Sequence, residues 1–382
     1  MYAMKPISQL FFLLVLILFC SGCKNSIKTA KSSAHDTLSV SVTETSPVKM
    51  VLPQLEAGDL KVSDEAFGPT ISLVGKPLDL KENTNAEQLI IKDKYLITNN
   101  QRKDSIFMIF ELPGMKCIAA FGAKGNGPGE FNYPRIVETE EDSILFYIYE
   151  NFTEKVYKVT LKHMKPEYYL TLPKNRSYDD KQIFFTGSKT AYYSSAGDKG
   201  KKVYYFNSDS LPQQKIFNDL AIKGVKGSWS TLIGDFGINV NEGRIAYAYK
   251  YFKRLKIVDI RSNFERNVIF EAKNLDKGLN DVQTLEPTNI THYWGMSAGK
   301  KHFWMLYSGR TPVSVYNDNQ HKKKYIYVEK FDWNGNPVKR YKLDDWGFFC
   351  VDEKNQALYL ASTASVYTLL KYDISDSIKT VY

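Results

Sequence analysis

Two kinds of hydrophobic pattern divide this 382-residue chain. Residues 10–19 form one unbroken apolar run, LFFLLVLILF. From about residue 70 onward, apolar residues come in short alternating or wholly apolar runs, separated by Gly, Asn, Asp and Pro. No long 3.6-residue periodicity runs through them. Short runs punctuated by turn residues predict strands. The chain's 26 Tyr and 22 Phe favour a pleated surface over a helix. An all-β body follows, and a single β domain can take up this length.

The runs repeat. A turn rich in Asp, Asn, Lys or Gly leads into an apolar strand, a polar gap and a second strand. One copy pairs IKDKYLIT with SIFMIFELPG; the next pairs TEEDSILFYIY with KVYKVTL. Taking Leu96, Leu145, Tyr192, Ala246, Phe303 and Leu358 as equivalent, the copies step by 49, 47, 54, 57 and 55 residues. Six units of roughly 50 residues have the scale of propeller blades. A blade is a four-stranded antiparallel sheet packed on both faces, which is why ILFYIY lacks alternation. The sixth copy ends near Tyr382 with about three strands, and a missing fourth would leave an open edge. TISLVGKPLDL, residues 70–80, reads as a lone strand that completes the last blade and locks the ring. The expected fold is an all-β, six-bladed β-propeller over residues 69–382, with four-stranded antiparallel blades.

FGAKGNGPGEFNYP, residues 121–134, looks at first like a phosphate loop. A P-loop needs GxxxxGK followed by Ser or Thr, and then a helix whose N-terminus faces the phosphate. Here Lys124 lacks that Ser or Thr, Phe131 and Pro134 follow the glycines, and the next segment, RIVE, is strand-like. A dinucleotide loop fails for the same reason. The stretch is expected to be the crossover from the outer strand of one blade to the inner strand of the next. Its glycines supply unusual backbone angles, and Phe131 plugs between blades.

The leading run carries an address. Lys5, ten apolar residues and then Ser21-Gly22-Cys23 have the layout of a secretory signal. The apolar core is short for a transmembrane helix of ~20 residues. Ser21-Gly22-Cys23 resembles a bacterial lipobox, although Cys20 stands where Leu is usual. Residues 1–22 are read as a signal peptide and Cys23 as the lipidated first residue of the mature chain. Several acyl chains on one Cys hold a protein firmly to a membrane. Residues 23–68, rich in Ser, Thr and Lys, are expected to be a flexible tether.

GAKGNGPGEFNYP resembles the G-x-GPGE[FY] corner of the six-bladed β-propeller lipoproteins of Bacteroidetes, and also the corners of NHL and TolB-like propellers. KFDWNGNPVKRYKLD, residues 330–344, with the following GFFCVDEKNQALYLAS, resembles the closing blades of that group. The resemblance implies a fold and an outer-membrane location, periplasmic or surface-facing. It implies no catalytic residues. Five Asp-Ser/Thr-apolar tripeptides, centred on Thr37, Ser105, Ser143, Ser210 and Ser377, resemble the O-glycosylation sequon of secreted Bacteroidetes proteins. Turn chemistry leading into strands gives the same tripeptides.

Candidate chemistry is sparse. Cys117 reads as outer strand and Cys350 as inner, which favours two buried free thiols over a bridge. No C-x-x-C zinc signature, paired-His motif or G-x-S-x-G elbow occurs. No metal and no cofactor is expected. Of the five histidines, His292 follows the crossover TLEPTNITHYWG and could reach the channel. Crossover loops converge on one end of the ring, and the ligand-binding candidates there are Arg135, Asp235, His292 and Arg310. The net charge of +9 includes the basic run HKKKYIYVEK. An envelope address excludes nucleic acid as the partner and points the charge towards acidic glycans or lipid headgroups. All five Trp fall in the second half, where blade packing accounts for most of them. The expected function is a cell-envelope binding or scaffolding module, anchored through Cys23, with a glycan or an envelope protein as partner. The alternatives are a propeller lyase or hydrolase acting on a glycan or other envelope substrate, and a purely structural partner in an outer-membrane complex.

Overall fold

The computed structural model describes residues 55–375 except 83, 101–103, 175–176, 178, 199, 226–228, 271–288 and 364–368. All of them lie in one compact unit, residues 52–382.

The six positions taken as equivalent each fall on the second strand of a separate blade. These strands are Tyr95–Asn99, Ile144–Glu150, Thr190–Gly197, Arg244–Tyr249, His302–Arg310 and Ala357–Ser362. In Ile144–Glu150 every residue is buried, because both faces of the strand meet neighbouring blades. The inner strands are Gln88–Lys92, Pro134–Thr139, Gln182–Gly187, Gly234–Asn239, Thr291–Ala298 and Gly347–Asp352. They neighbour one another in chain order, and the last returns to the first, so the ring is closed. The inner strands of blades 2 and 3 also pair in parallel, Glu138 with Phe184 and Thr139 with Phe185.

Six hydrophobic clusters among the described residues fill the six gaps between blades. The gap that closes the ring, between blades 6 and 1, packs Leu96, Met108 and Phe110 against Tyr359, Ala361 and Leu369. Cys350, buried on an inner strand, and Cys117, on an outer one, both belong to this gap and both are free. The glycine-rich corner is architecture. Phe131 is buried edge-on between Phe107 of blade 1 and Tyr157 of blade 2. The Gly127 amide donates to the Glu130 carboxylate at 2.8 Å. Gly122, at φ +80°, makes the turn against Phe107.

Closure differs from the expectation in one respect. The leading segment is a belt laid over the outer edges of three blades. β1 (Gly58–Val62) pairs in parallel with Glu265–Phe270 of blade 4. β2 (Ile71–Leu73) pairs in parallel with Pro337–Leu343 of blade 5. Only β3 (Lys76–Pro77) supplies the fourth strand of blade 6, antiparallel to Leu369–Asp373, and the Leu78 amide extends the ladder to the Leu369 carbonyl. Residues 70–80 are therefore not one strand. Their first part caps blade 5 and their second part closes blade 6. The expected tether, residues 23–68, is also cut short, since Gly58–Val62 is a strand and Asp64–Phe67 a 3-10 turn.

That turn is pinned hard. Phe67 is buried against Phe270 and Phe331, with the Arg340 guanidinium over its ring at 4.6 Å. Asp64 pairs with Lys253 and with Arg340 at 3.0 Å. Both cations also meet Glu329, which is 0% exposed, at 3.5 and 2.6 Å, and Tyr293 donates to the same carboxylate at 2.9 Å. The paired charges satisfy one another, as buried ions must.

Candidate functional site

The inner strands of all six blades enclose a cavity of about 370 Å³ on the ring axis. Its walls differ in chemistry from one arc to the other. On blades 1–4 the leading end of each inner strand carries a polar side chain that reaches to the next blade. Gln88 bonds both the amide and the carbonyl of Ile136, at 2.8 and 2.7 Å. Arg135 pairs with Asp180. Gln182 donates to the Gly234 carbonyl at 3.1 Å. The Asp235 carboxylate accepts from the Gly295 amide at 2.7 Å. On blades 5 and 6 the wall is aromatic, with Trp294 and Phe348 5.3 Å apart between ring centres.

Deeper on the polar arc is Glu138, half-buried beside Lys92, whose ammonium donates to the Thr139 carbonyl at 2.9 Å. Burial, with a smaller contribution from Glu140, pushes the Glu138 carboxyl up to about 7. Loss of solvation also holds Asp235 above its ordinary value, against the pull of the Gly295 amide and the Lys250 and Lys201 ammoniums. Two carboxyl groups that are reluctant to ionise thus line one cavity.

The same end of the ring carries exposed aromatics. Pro134 lies opposite Glu150, so the turn after Glu150 sits beside the leading end of the inner strand. There Tyr133 and Phe152, 51% and 72% exposed, stack at 5.2 Å. Glu150 fixes the platform by accepting from the amides of Asn132 and Tyr133 at 3.1 and 3.2 Å.

Of the four ligand-binding candidates, the structure brings Arg135 and Asp235 into the cavity and leaves His292 and Arg310 outside its walls. His292 is buried between blades 4 and 5, stacked on Tyr307 at 6.1 Å, with its amide bonded to the Lys250 carbonyl. Burial and the nearby Lys253 charge press its pKa down to about 4, so the ring is neutral at pH 7. The cause is local. The strand begins over blade 4, and irregular pairing between Thr291 and Met296 brings Trp294 to the channel in place of His292. Arg310 lies beneath a helix inserted in blade 5, bonded to Asp318 at 2.8 Å and to the Tyr325 carbonyl at 2.6 Å. Gln88, Glu138, Gln182, Trp294 and Phe348 had no distinguishing signal in the sequence; only the ring shows that they converge.

Among the described residues no group of three His, Cys, Asp or Glu could hold a metal ion. Ser105, Ser143 and Ser210 sit in bends or turns between strands, Ser143 being the exposed one. Cys23, Thr37 and Ser377 lie outside the described residues.

Residues 87–354 match the family model described as TolB-like 6-blade propeller-like. No curated protein matches the chain. Three solved structures share the fold. A member of the DUF4221 family from Bacteroides vulgatus is 12% identical, with 80% of this chain and 96% of that one covered at a TM-score of 0.55. A candidate exported protein from Bacteroides fragilis is 11% identical, with 82% and 98% covered at 0.50. A protein of unknown function from Bacteroides thetaiotaomicron is 12% identical, with 78% and 72% covered at 0.50.

Proposed function

This chain belongs to the TolB-like 6-blade propeller-like family, and we propose that it is a glycan-binding module of the cell envelope, anchored through a lipidated Cys23. The observation that carries this reading is the two-sided cavity at the ring axis, with hydrogen-bonding groups on one arc and Trp294 and Phe348 on the other. A sugar ring has the matching character, hydroxyls around its edge and C–H groups on its faces. The exposed Tyr133–Phe152 stack on blade 2 offers a second, separate aromatic surface for a longer chain. The signal layout of residues 1–22 supports the envelope location, as does likeness in fold to a candidate exported protein.

The test is a glycan array probed with the purified chain, followed by calorimetry on the hits. Trp294→Ala and Arg135→Ala are each expected to weaken a hit at least about tenfold, the scale of one lost stacking or charge-assisted contact. Absence of any glycan hit, or hits indifferent to both substitutions, refutes the reading. A second reading, glycan cleavage, is favoured by one observation. Glu138 is held at about 7, the range of a general acid at neutral pH. It requires product release from a bound glycan that Glu138→Gln abolishes while binding is retained.

A further inference from the structure

The wall of the channel cavity has a charge balance of its own. Among the described residues, four acidic side chains line it, Glu87, Glu138, Asp180 and Asp235, against two cations, Arg135 and Lys181. Both cations are already matched. Arg135 pairs with Asp180, and the Lys181 ammonium donates to both oxygens of Glu154, outside the wall, at 2.7 and 2.6 Å. Glu138 and Asp235 have no ion pair among the described residues; the charge of Lys92 reaches the one, and those of Lys250 and Lys201 the other, without pairing. The chain's net charge of +9 favours an acidic ligand at long range. Inside the cavity the near charges decide, because those beyond a Debye length of about 8 Å are largely screened.

The unmatched acids adjoin the aromatic arc. One oxygen of Asp235 accepts from the Gly295 amide at 2.7 Å, while the other has only the Gln182 side-chain amide at 3.4 Å. Gly295 directly follows Trp294, so this carboxyl is held beside the Trp294–Phe348 wall. A carboxylate can accept at about four positions, which leaves Asp235 with acceptor capacity in hand. Glu138, Asp235, Trp294 and Phe348 are each half-buried and all border the one cavity, so what surface they keep open is turned to it. At about 370 Å³ the cavity lies at the lower end of the range for small-ligand pockets, and one occupant meets both acids. Loss of solvation makes both carboxyls hold a proton more tightly than usual, for want of a nearer cation. The other groups acting on them, Glu140 and the Cys350 thiol at Glu138 and the Tyr247 hydroxyl at Asp235, supply no positive charge.

Unpaired carboxyls beside flat aromatic faces define an occupant with hydrogen-bond donors, positive charge and an apolar face. We propose that the glycan taken by the channel carries a free amino group, its ammonium received by Asp235 and Glu138 and its ring laid on Trp294 and Phe348. The inference rests on the glycan reading and narrows it from sugars in general to amino sugars. On binding, the ammonium takes the place of the proton that Glu138 otherwise retains, and that proton passes to solvent.

The experiment is calorimetric titration of the full chain, near pH 7, with the β-1,4 trimer of glucosamine, with its N-acetylated form, and with cellotriose, in which a hydroxyl replaces each amino group. The aminated trimer is expected to bind saturably and about tenfold or more tighter than either neutral one, the scale of one charge-assisted contact. Asp235→Asn and Glu138→Gln are each expected to cut that preference by about three- to tenfold. Both substitutions keep the side chain's shape, Asp235→Asn keeps an oxygen for the Gly295 amide, and an unaltered thermal transition shows that the variants are folded. Titrations in buffers of different ionisation heat count the protons released. The parent should release more than Glu138→Gln does, a difference that cancels the amine's own titration. The proposal is overturned if the aminated trimer binds no tighter than the neutral ones, if its preference survives both substitutions, or if parent and Glu138→Gln release protons alike. Equal binding of all three trimers, or an array whose best hit lacks an amino group, sinks this inference and leaves the glycan reading standing. No binding of any trimer together with an empty array sinks both.

Discussion

Single residues at the channel decide what it can hold. Glu138 combines a place in the cavity wall with a carboxyl at about 7, well above its ordinary 4.5. A carboxyl raised in the folded chain binds its proton more tightly there than in the unfolded chain. Its contribution therefore favours folding at low pH and is lost as pH rises from about 4.5 through 7. Glu138→Gln should remove that slope, so that the difference in unfolding free energy between variant and parent grows in the variant's favour across this window. Urea titrations at several pH values check it, and parallel curves would refute it. Taking the difference matters because Asp64, Asp219 and Asp259 have lowered values and slope the opposite way.

At the scale of elements, the belt is fastened chiefly at its 3-10 turn, through Phe67 and Asp64. Phe67 fills a site among Phe270, Phe331 and Arg340, and its truncation to Ala should cost about 3–5 kcal/mol, the range for a large buried aromatic. Denaturant unfolding measures this, and a loss below about 1 kcal/mol would mean that the belt is only loosely held. This element was also the least legible in the sequence. Ile144–Glu150 announces itself because both of its faces are buried and it reads as unbroken apolar chain. GDLKV at Gly58–Val62 is a one-sided edge strand with mixed exposure, and no periodicity separates it from a polar tether. Lys76–Pro77 is too short to carry a pattern, and its place follows only from the need of blade 6 for a fourth strand. At the site, Arg135 was legible because it directly follows the glycine corner. His292 misled because an irregular stretch of pairing shifts which side chains meet the channel, and register of that kind is not written in composition.

For the whole molecule, the repeat spacing was sufficient because every blade meets the same demand, two apolar faces and a buried second strand. The corner signature occurs once, yet six gaps are filled, so packing and not the glycine motif defines the family resemblance across blades. The proposed anchor also belongs to this scale. Cys23→Ser should move the chain from the membrane fraction to the soluble fraction of the cells that express it and abolish incorporation of labelled palmitate. Retention in the membrane fraction without label would assign the attachment to something other than acylation of Cys23.

The belt has a consequence for the order in which the molecule is made. Gly58–Val62 leaves the ribosome before any blade, yet its partner strand, Glu265–Phe270, is synthesised some two hundred residues later, and the partner of Lys76–Pro77 later still. The earliest β segments are thus the last to find their places, and nascent chains must wait with sticky backbone edges uncovered. A circular permutant that starts at Gln88 and carries residues 55–80 behind Ser375 would bring each of these partners closer in sequence. It should refold faster than the natural order while keeping the same ring.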